Sequence, residues 1–169
     1  VIQGIHNRKA IRLTNQILKS YDRNNTIVHL HAWSKALSPA IIPALLEHEI
    51  PTVCTLHDYF SVCPNGTLYN HVKQDICNLQ PMSAACIKCN CDSRSYTHKL
   101  WRVSRFYAQH HWYGLPRRLT HLLTPSHFSK HRLTRYLPAD CVSDGLGNPM
   151  GYEKGRAVNV AANDRIIYV

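Results

Sequence analysis

The stretch TIVHLHAWSKALSPAIIPALLEHEIPTVCTLHD, residues 26–58, decides the fold of this chain. It opens with a short apolar run, residues 26–31, and closes with a second one, residues 52–56. Both runs are short and rich in β-branched residues, which is typical of buried strands. A strand, a helix and a strand within roughly thirty residues predict a βαβ unit, whose strands are parallel and joined by a right-handed crossover.

The segment between the two predicted strands has the signals of a helix. Ser38 and Pro39 are typical of an N-cap and a first helical turn, and the apolar residues that follow continue to residue 49. Pro43 lies about one turn inside this segment, so we expect a distorted start to the helix.

The rest of the chain continues the same alternation of helices and strands. Helical spacing of apolar residues predicts helices at residues 7–21 and 94–112, and a third at 126–137 that Ser126 caps. Further strands are predicted at residues 121–125 and 165–169, the second after a turn-rich linker. The pattern predicts an α/β fold, a parallel sheet flanked by helices.

Two histidines and a carboxylate lie where the two predicted strands of the βαβ unit end. His31 ends the first strand, and His57 with Asp58 follows the second. Because the carboxyl ends of parallel strands share one edge of a sheet, and ligands bind at that edge, these residues form a candidate site. His57 would bind or polarise a ligand oxygen, and Asp58 would cap the next turn or hold a loop amide. A histidine bonded only to a backbone carbonyl remains the alternative.

The residues "HLHAW" extend this candidate site. Alternation along a strand places His29 and His31 on one face, with His31 nearer the tip. We expect His29 to be a core or subsurface histidine. His31 and Trp33 are predicted to line a polar pocket, where an aromatic ring can stack on the apolar face of a sugar.

Five of the seven cysteines lie within 29 positions, spaced C-x13-C-x8-C-x2-C-x-C. The C-x2-C pair is typical of tetrahedral zinc, because a tight turn brings two thiolates to one ion. We therefore predict a structural zinc site, with Cys91 as a spare thiol; its ligands would be Cys63, Cys77, Cys86 and Cys89. Unliganded thiols, an iron–sulfur cluster and disulfides are the alternatives. This cysteine usage favours a reducing, cytoplasmic context over a secreted disulfide scaffold.

The chain is strongly basic, with 20 Lys and Arg against 10 Asp and Glu. Such a charge favours polyanions, which include nucleic acid, an anionic lipid surface and phosphorylated ligands, although it can also serve solubility alone. In the helix predicted at 94–112, Lys99, Arg102 and Arg105 lie near one face beside Trp101. That face would suit a peripheral anionic membrane surface or nucleic acid, and a plain solvated face is the ordinary alternative.

Several segments together resemble the N-terminal domain of family 4 glycosyltransferases with the GT-B fold. They are "IVHLHAW", "IPTVCTLHDYFSVCPNG", "CIKCNCDSRSYTHKLWRVSR", "LTPSHFSKHRL", and "GNP" leading to "RIIYV", and they run in family order over nearly the whole chain. The segment "TLHDYFSVCPNG", with its downstream cysteines, resembles one branch of these enzymes that carries a Cys-rich insertion.

The resemblance implies a domain organisation and an activity. Residues 1–149 would form an incomplete Rossmann-like N-terminal domain with the Cys-rich insertion at about 60–93. Residues 150–169 would be a linker and the first strand of a C-terminal domain. Such enzymes transfer a sugar from a nucleotide sugar to a saccharide or lipid-linked acceptor, in cell-surface polysaccharide or glycan synthesis. They usually retain anomeric configuration and need no catalytic metal.

The resemblance also assigns roles to single residues. His57 would contact the transferred sugar or the acceptor, and Asp58 matches the acidic position after it. Ser126 and Asn148 match substrate-binding positions after the third strand and in the linker. The family's glycine-rich loop and its paired donor-binding glutamates are not found in the chain. We therefore expect an acceptor-side part that is inactive alone. The alternative is a non-enzymatic, zinc-stapled basic module that binds nucleic acid.

Overall fold

The computed structural model describes residues 2–119, 121–137 and 141, which contain five α-helices and five strands. The helices are α1 (Arg8–Leu18), α2 (Ile41–Glu47), α3 (Ala84–Lys88), α4 (Tyr96–His111) and α5 (His127–Leu133). The strands are β1 (Val28–His31), β2 (Thr52–Thr55), β3 (Tyr69–Asn70), β4 (Asp75–Ile76) and β5 (His121–Leu123). The predicted linker, Asn148 and the strand predicted at 165–169 lie outside the described residues.

The three longer strands form one parallel sheet in the order β1-β2-β5. Val28 pairs with Thr52 and His31 with Thr55, so β1 and β2 end level with each other. On the other side of β2, Thr55 pairs with Leu123 of β5. This confirms the predicted βαβ unit, the parallel sheet and the third strand.

One face of this sheet carries the hydrophobic core. Leu30, Cys54 and Leu122 alternate onto that face, and their exposed fractions are 7%, 1% and 0%. They belong to one cluster with Ile41 and Ile42 of α2, both of which are also fully buried. The core thus fixes the register of the strands, because a shift of one residue would turn these side chains to the opposite face.

Helix α2 begins later than the sequence predicts, at Ile41. Ser38 adopts a left-handed backbone conformation (φ 65°), and its hydroxyl accepts a hydrogen bond from the Asn7 backbone N–H at 3.1 Å. It therefore ties the start of α1 to the segment before α2 and caps no helix, so its prediction as an N-cap was wrong. Pro43 is the third residue of α2, where no intrahelical hydrogen bond is lost, so the predicted distortion has no cause.

The Cys-rich insertion contains little regular structure. Its elements are the two-residue strands β3 and β4, which pair antiparallel, and the five-residue helix α3. A tight turn opens it: Gly66 has φ 76°, and its N–H donates to the Cys63 carbonyl at 2.9 Å. A β-carbon on Gly66 would lie 2.6 Å from the Phe60 ring, so only glycine fits there.

Helices α4 and α5 match their predictions closely. The Ser95 hydroxyl caps α4 by accepting from the His98 backbone N–H at 3.2 Å. Ser126 caps α5 as predicted, accepting from the Ser129 backbone N–H at 3.1 Å. The long helix α4 contacts the segment after β1, the loop after β2 and the Cys-rich insertion, through Arg105, Gln109 and Arg102, respectively.

Candidate functional site

Two histidines meet at the carboxyl edge of the sheet, as the sequence predicts. His31 is the last residue of β1, and His57 follows the end of β2 by two residues. The distance from His31 Nδ1 to His57 Nε2 is 2.9 Å, so one of these nitrogens donates a hydrogen bond to the other. Both side chains are exposed to solvent. The pair therefore presents imidazole nitrogens to anything that reaches this edge.

His29 belongs to the same group of imidazoles. Its ring lies 4.0 Å from the His31 ring, and its Nε2 is 2.8 Å from the Thr55 hydroxyl. The side chain is exposed, so the predicted core or subsurface position was wrong. The reason is that His29 alternates away from the sheet face that carries the core. Partial desolvation, and then the neighbouring His31 and His57, lower the pKa of His29.

A narrow pocket of about 30 Å³ opens beside His57. Trp33 lines it as predicted, whereas His31, which was predicted to line a pocket with Trp33, is not among its lining residues. Asp58, Gln109 and Leu115 also line it. Its volume admits one or two water-sized groups, so it can take a hydroxyl or a small substituent but not a sugar ring. A ligand at this edge would thus lie outside the pocket and place one group inside it.

Asp58 holds the loop that follows β2. Its Oδ1 accepts a hydrogen bond from the Phe60 backbone N–H at 3.1 Å, which confirms the predicted capping of a turn. Arg105 of α4 is close enough to Asp58 to interact electrostatically. Burial lowers the pKa of Arg105, and Asp58 opposes that shift. The positive charge of Arg105 therefore partly offsets the negative charge of the Asp58 carboxylate.

The sequence also predicts Ser126 and Asn148 as substrate-binding residues. Ser126 is exposed and caps α5, and it is not among the residues that line the pocket. Asn148 lies outside the described residues. Gln109 does reach the pocket, and its Nε2 donates to the Phe60 carbonyl at 2.9 Å. No spacing pattern marks Gln109, because helix α4 brings it from far along the chain.

A larger groove of about 700 Å³ adjoins the pocket, since Pro116 lines both. His110, His111, Arg117 and Arg135 line the groove, whereas no Asp or Glu is among its described lining residues. Tyr107 and Tyr136 add aromatic surface to it. The groove is large enough for a saccharide of more than one unit. No sequence pattern marks the groove, because its lining residues come from four separate segments, at 62, 80–82, 106–117 and 135–137.

The basic residues of α4 do not form an exposed face. Lys99 is 1% exposed, and Arg102 donates to the Asn65 carbonyl at 2.7 Å. Arg105 donates to the Ser34 carbonyl and lies 5.4 Å from the centre of the Phe60 ring. The predicted basic face for a membrane or nucleic acid was therefore wrong. These cations point inward because the loop after β2 and the Cys-rich insertion supply their partners.

Asp92 anchors the end of the insertion to α4. Its side chain is fully buried, and its carboxylate accepts from the Arg94 backbone N–H at 2.9 Å. His98 Nδ1 and Arg102 Nε lie 3.0 Å and 3.2 Å from its Oδ2. Burial alone would raise the pKa of Asp92, but these hydrogen bonds and the Arg102 charge outweigh it and lower the pKa.

The five clustered cysteines line a single small cavity of about 10 Å³. They are Cys63, Cys77, Cys86, Cys89 and Cys91, and all are free thiols. In residues 2–119, 121–137 and 141, no group of three or more His, Cys, Asp or Glu side chains is already arranged to hold a metal ion. The predicted zinc ligands thus converge on one place without forming a finished coordination sphere.

No helix in the described part of the chain is both long and apolar enough to span a membrane. Comparisons of the chain with protein-family models, with curated proteins and with solved structures find no match. The function is therefore argued from the site itself.

Proposed function

We propose that this chain is the acceptor-side part of a glycosyltransferase, an enzyme that transfers a sugar from a nucleotide sugar to a saccharide or lipid-linked acceptor. The observation that carries the proposal is the His31–His57 pair, 2.9 Å apart at the carboxyl edge of a parallel sheet. Ligands of open α/β sheets bind at that edge. The sequence resemblance to family 4 glycosyltransferases supports the same reading.

The chemistry of the edge suits a sugar hydroxyl. One ring nitrogen of His57 bonds to His31, and the other can accept a hydrogen bond from a hydroxyl or donate one to an oxygen. Trp33 lines the adjoining pocket, which is too small for a sugar ring but can take one hydroxyl or small substituent of a sugar bound outside it. In this proposal His57 contacts the reacting groups, and Asp58 holds the loop that positions it.

The groove beside the pocket is the proposed path of the acceptor. Its cationic and aromatic lining suits a saccharide that carries negative charge, such as a sugar acid or a phosphate-linked acceptor. The nucleotide sugar would be held mainly on the donor side of the enzyme, opposite this acceptor side. A GT-B architecture and a retaining mechanism belong to the same proposal.

Nucleic-acid binding is not proposed, because the helix that suggested it uses its cations within the protein. Lys99, Arg102 and Arg105 bond to a cysteine, to Asn65 and to Ser34, respectively. The whole chain, with these three cations included, carries a net charge of +10, which is compatible with transient binding to an anionic membrane.

The test is sugar transfer by the protein as its gene encodes it, measured with a panel of labelled nucleotide sugars and lipid-linked acceptors. The variant His57→Ala is expected to lower turnover by roughly 10²-fold, the effect of losing one positioned polar group. The matched control is His48→Ala, because His48 bonds to Asn15 and follows α2, away from the carboxyl edge. Normal turnover in His57→Ala would remove His57 from the mechanism.

A further inference from the structure

The Cys-rich insertion has too little internal packing to hold its own shape. Its strands are two residues long and its helix five, lengths that are not stable in isolation. Between the two strands and along β4, the residues Val72, Lys73, Gln74, Asp75 and Ile76 are all exposed. A segment of this kind usually needs a cross-link or a bound metal to be ordered.

The five cysteines of the insertion come from different parts of it and lie around one cavity, where a bound metal would connect those parts. Cys63 precedes the opening turn, Cys77 directly follows β4, Cys86 lies in α3, and Cys89 and Cys91 follow it. All five line the same cavity of about 10 Å³. This volume is about that of one water-sized sphere, so it suits a single ion and is too small for a cluster of several irons and sulfides.

Lys99 gives a second, independent observation. Its side chain is 1% exposed, and its Nζ donates to Cys91 Sγ at 3.1 Å and approaches Cys86 Sγ at 3.9 Å. A buried ammonium needs an opposite charge nearby. The groups that face it are thiols, which become anionic when they bind a metal.

A side-chain amide also points at the cavity wall. Asn70 Nδ2 donates to Cys89 Sγ at 3.4 Å, and its Oδ1 accepts from the backbone N–H groups of Val72 and Lys73. Hydrogen bonds from N–H groups to sulfur are the outer contacts that orient and stabilise metal-bound thiolates. Neutral thiols would gain little from two such donors.

We propose that these cysteines bind one Zn²⁺ through four thiolates that include Cys86 and Cys89, with the Lys99 ammonium as the buried counter-charge. Four thiolates on one divalent ion carry two net negative charges, and Lys99 offsets one of them. The sulfurs need to turn about their Cα–Cβ bonds to close on the ion, because they are not yet arranged as a coordination sphere. The proposal of a zinc site does not depend on the proposed transferase activity.

The first experiment measures metal in the protein purified without chelators, by elemental analysis. We expect about one zinc per chain, and loss of it in the double variant Cys86→Ser/Cys89→Ser. The control is Cys54→Ser, because Cys54 lies in the sheet and does not line the cavity. Less than about a tenth of an equivalent after adding zinc chloride overturns the proposal. Zinc that is retained by the double variant, or iron and sulfide found in place of zinc, also overturns the proposal.

The second experiment tests the role of Lys99 through zinc affinity, measured by competition with a chromogenic chelator. Lys99→Met is expected to weaken zinc binding about 10–100-fold, the usual effect of losing an outer partner of a metal site. Lys88→Met is the matched control, because Lys88 is exposed in α3. Equal affinities in the two variants would overturn the role of Lys99.

The third experiment needs no variant, so it holds even if a substituted protein fails to fold. Cysteine alkylation of the natural chain is followed by mass spectrometry before and after a chelator is added. We expect four of the five clustered thiols to be protected before chelation and reactive after it, while Cys54 does not change. Alkylation of the cluster that is the same with and without chelator would contradict the zinc site.

Discussion

Replacing Asp92 by Asn tests how the Cys-rich insertion is held to the rest of the fold. The carboxylate is fully buried and meets the Arg94 backbone N–H, His98 and Arg102 at 2.9–3.2 Å. Asparagine keeps the shape but loses the charge, and its amide N–H₂ would face the donors that the carboxylate accepts from. Breaking a buried charged pair costs about 3 kcal/mol. In a chain of 169 residues that cost corresponds to a fall in melting temperature of about 6–12 °C.

The pH dependence gives this prediction a second, sharper form. Because the pKa of Asp92 is lowered in the folded state, its stabilisation is fully present above the unfolded value near 3.9. It is lost as pH falls through the lower folded pKa. The difference between the natural chain and the variant should therefore be large at neutral pH and should shrink as the solution is acidified below the ordinary carboxyl pKa.

The assay is thermal and urea unfolding followed by circular dichroism at several pH values. Asp75→Asn is the control, because Asp75 lies in the same insertion but is exposed and bonds only locally, to the Ile76 backbone N–H. It should change the free energy of unfolding by less than about 0.5 kcal/mol. If Asp92→Asn also changes the free energy of unfolding by less than about 0.5 kcal/mol at pH 7, the carboxylate does not hold the insertion in the way described.

Three further predictions concern the turn, the core and a buried thiol. Gly66→Ala should lower the free energy of unfolding by about 2 kcal/mol, because alanine disfavours its positive φ and would meet the Phe60 ring; an unchanged urea midpoint would contradict this. Leu122→Ala should cost about 3–4 kcal/mol in the same assay, whereas Leu100→Ala, at an exposed position, should be nearly neutral. Burial raises the pKa of Cys54 to about 11, so iodoacetamide at pH 8 should alkylate it at least ten times more slowly in the folded chain than in urea.

The parts of the fold that depend on local signals could be predicted from the sequence. The βαβ unit follows from two apolar runs and the apolar segment between them, and the cap of α5 follows from a single residue, Ser126. Ser38 is the instructive exception. It has the right type for an N-cap, but its hydroxyl bonds to the Asn7 backbone 31 residues earlier, and no local pattern records that contact.

The orientation of α4 could not be predicted. Lys99, Arg102 and Arg105 are spaced three apart and do share one face, but spacing cannot tell which way that face points. It points inward because Asp92, the thiols and the loop after β2 lie there, in segments without periodicity. Cation spacing on a helix is therefore weak support for an interface until the partners of each cation are known.

The candidate site could also be predicted only in part from the sequence. The meeting of His31 and His57 follows from strand ends alone, because parallel strands bring their carboxyl ends together. The shape of the groove and the position of Gln109 depend on how α4 packs against the loop after β2, which the sequence does not reveal. Gln109 Nε2 and His110 Nε2 lie 2.9 Å and 3.1 Å from the Phe60 and Ser61 carbonyls, so the start of the insertion forms one wall of the site. Loosening the insertion should therefore disturb the site as well.

The most direct test of the central claim observes the histidine rings while a ligand binds. Nitrogen-detected NMR of the imidazoles is recorded while the chain is titrated with saccharides selected on a glycan array. If the sheet edge binds a saccharide, the chemical shifts of the ring nitrogens should change for His31 and His57 and stay the same for His48, and His57→Ala should abolish binding. No glycan bound on the array, or binding that leaves both sheet-edge histidines unchanged and survives His57→Ala, would contradict it.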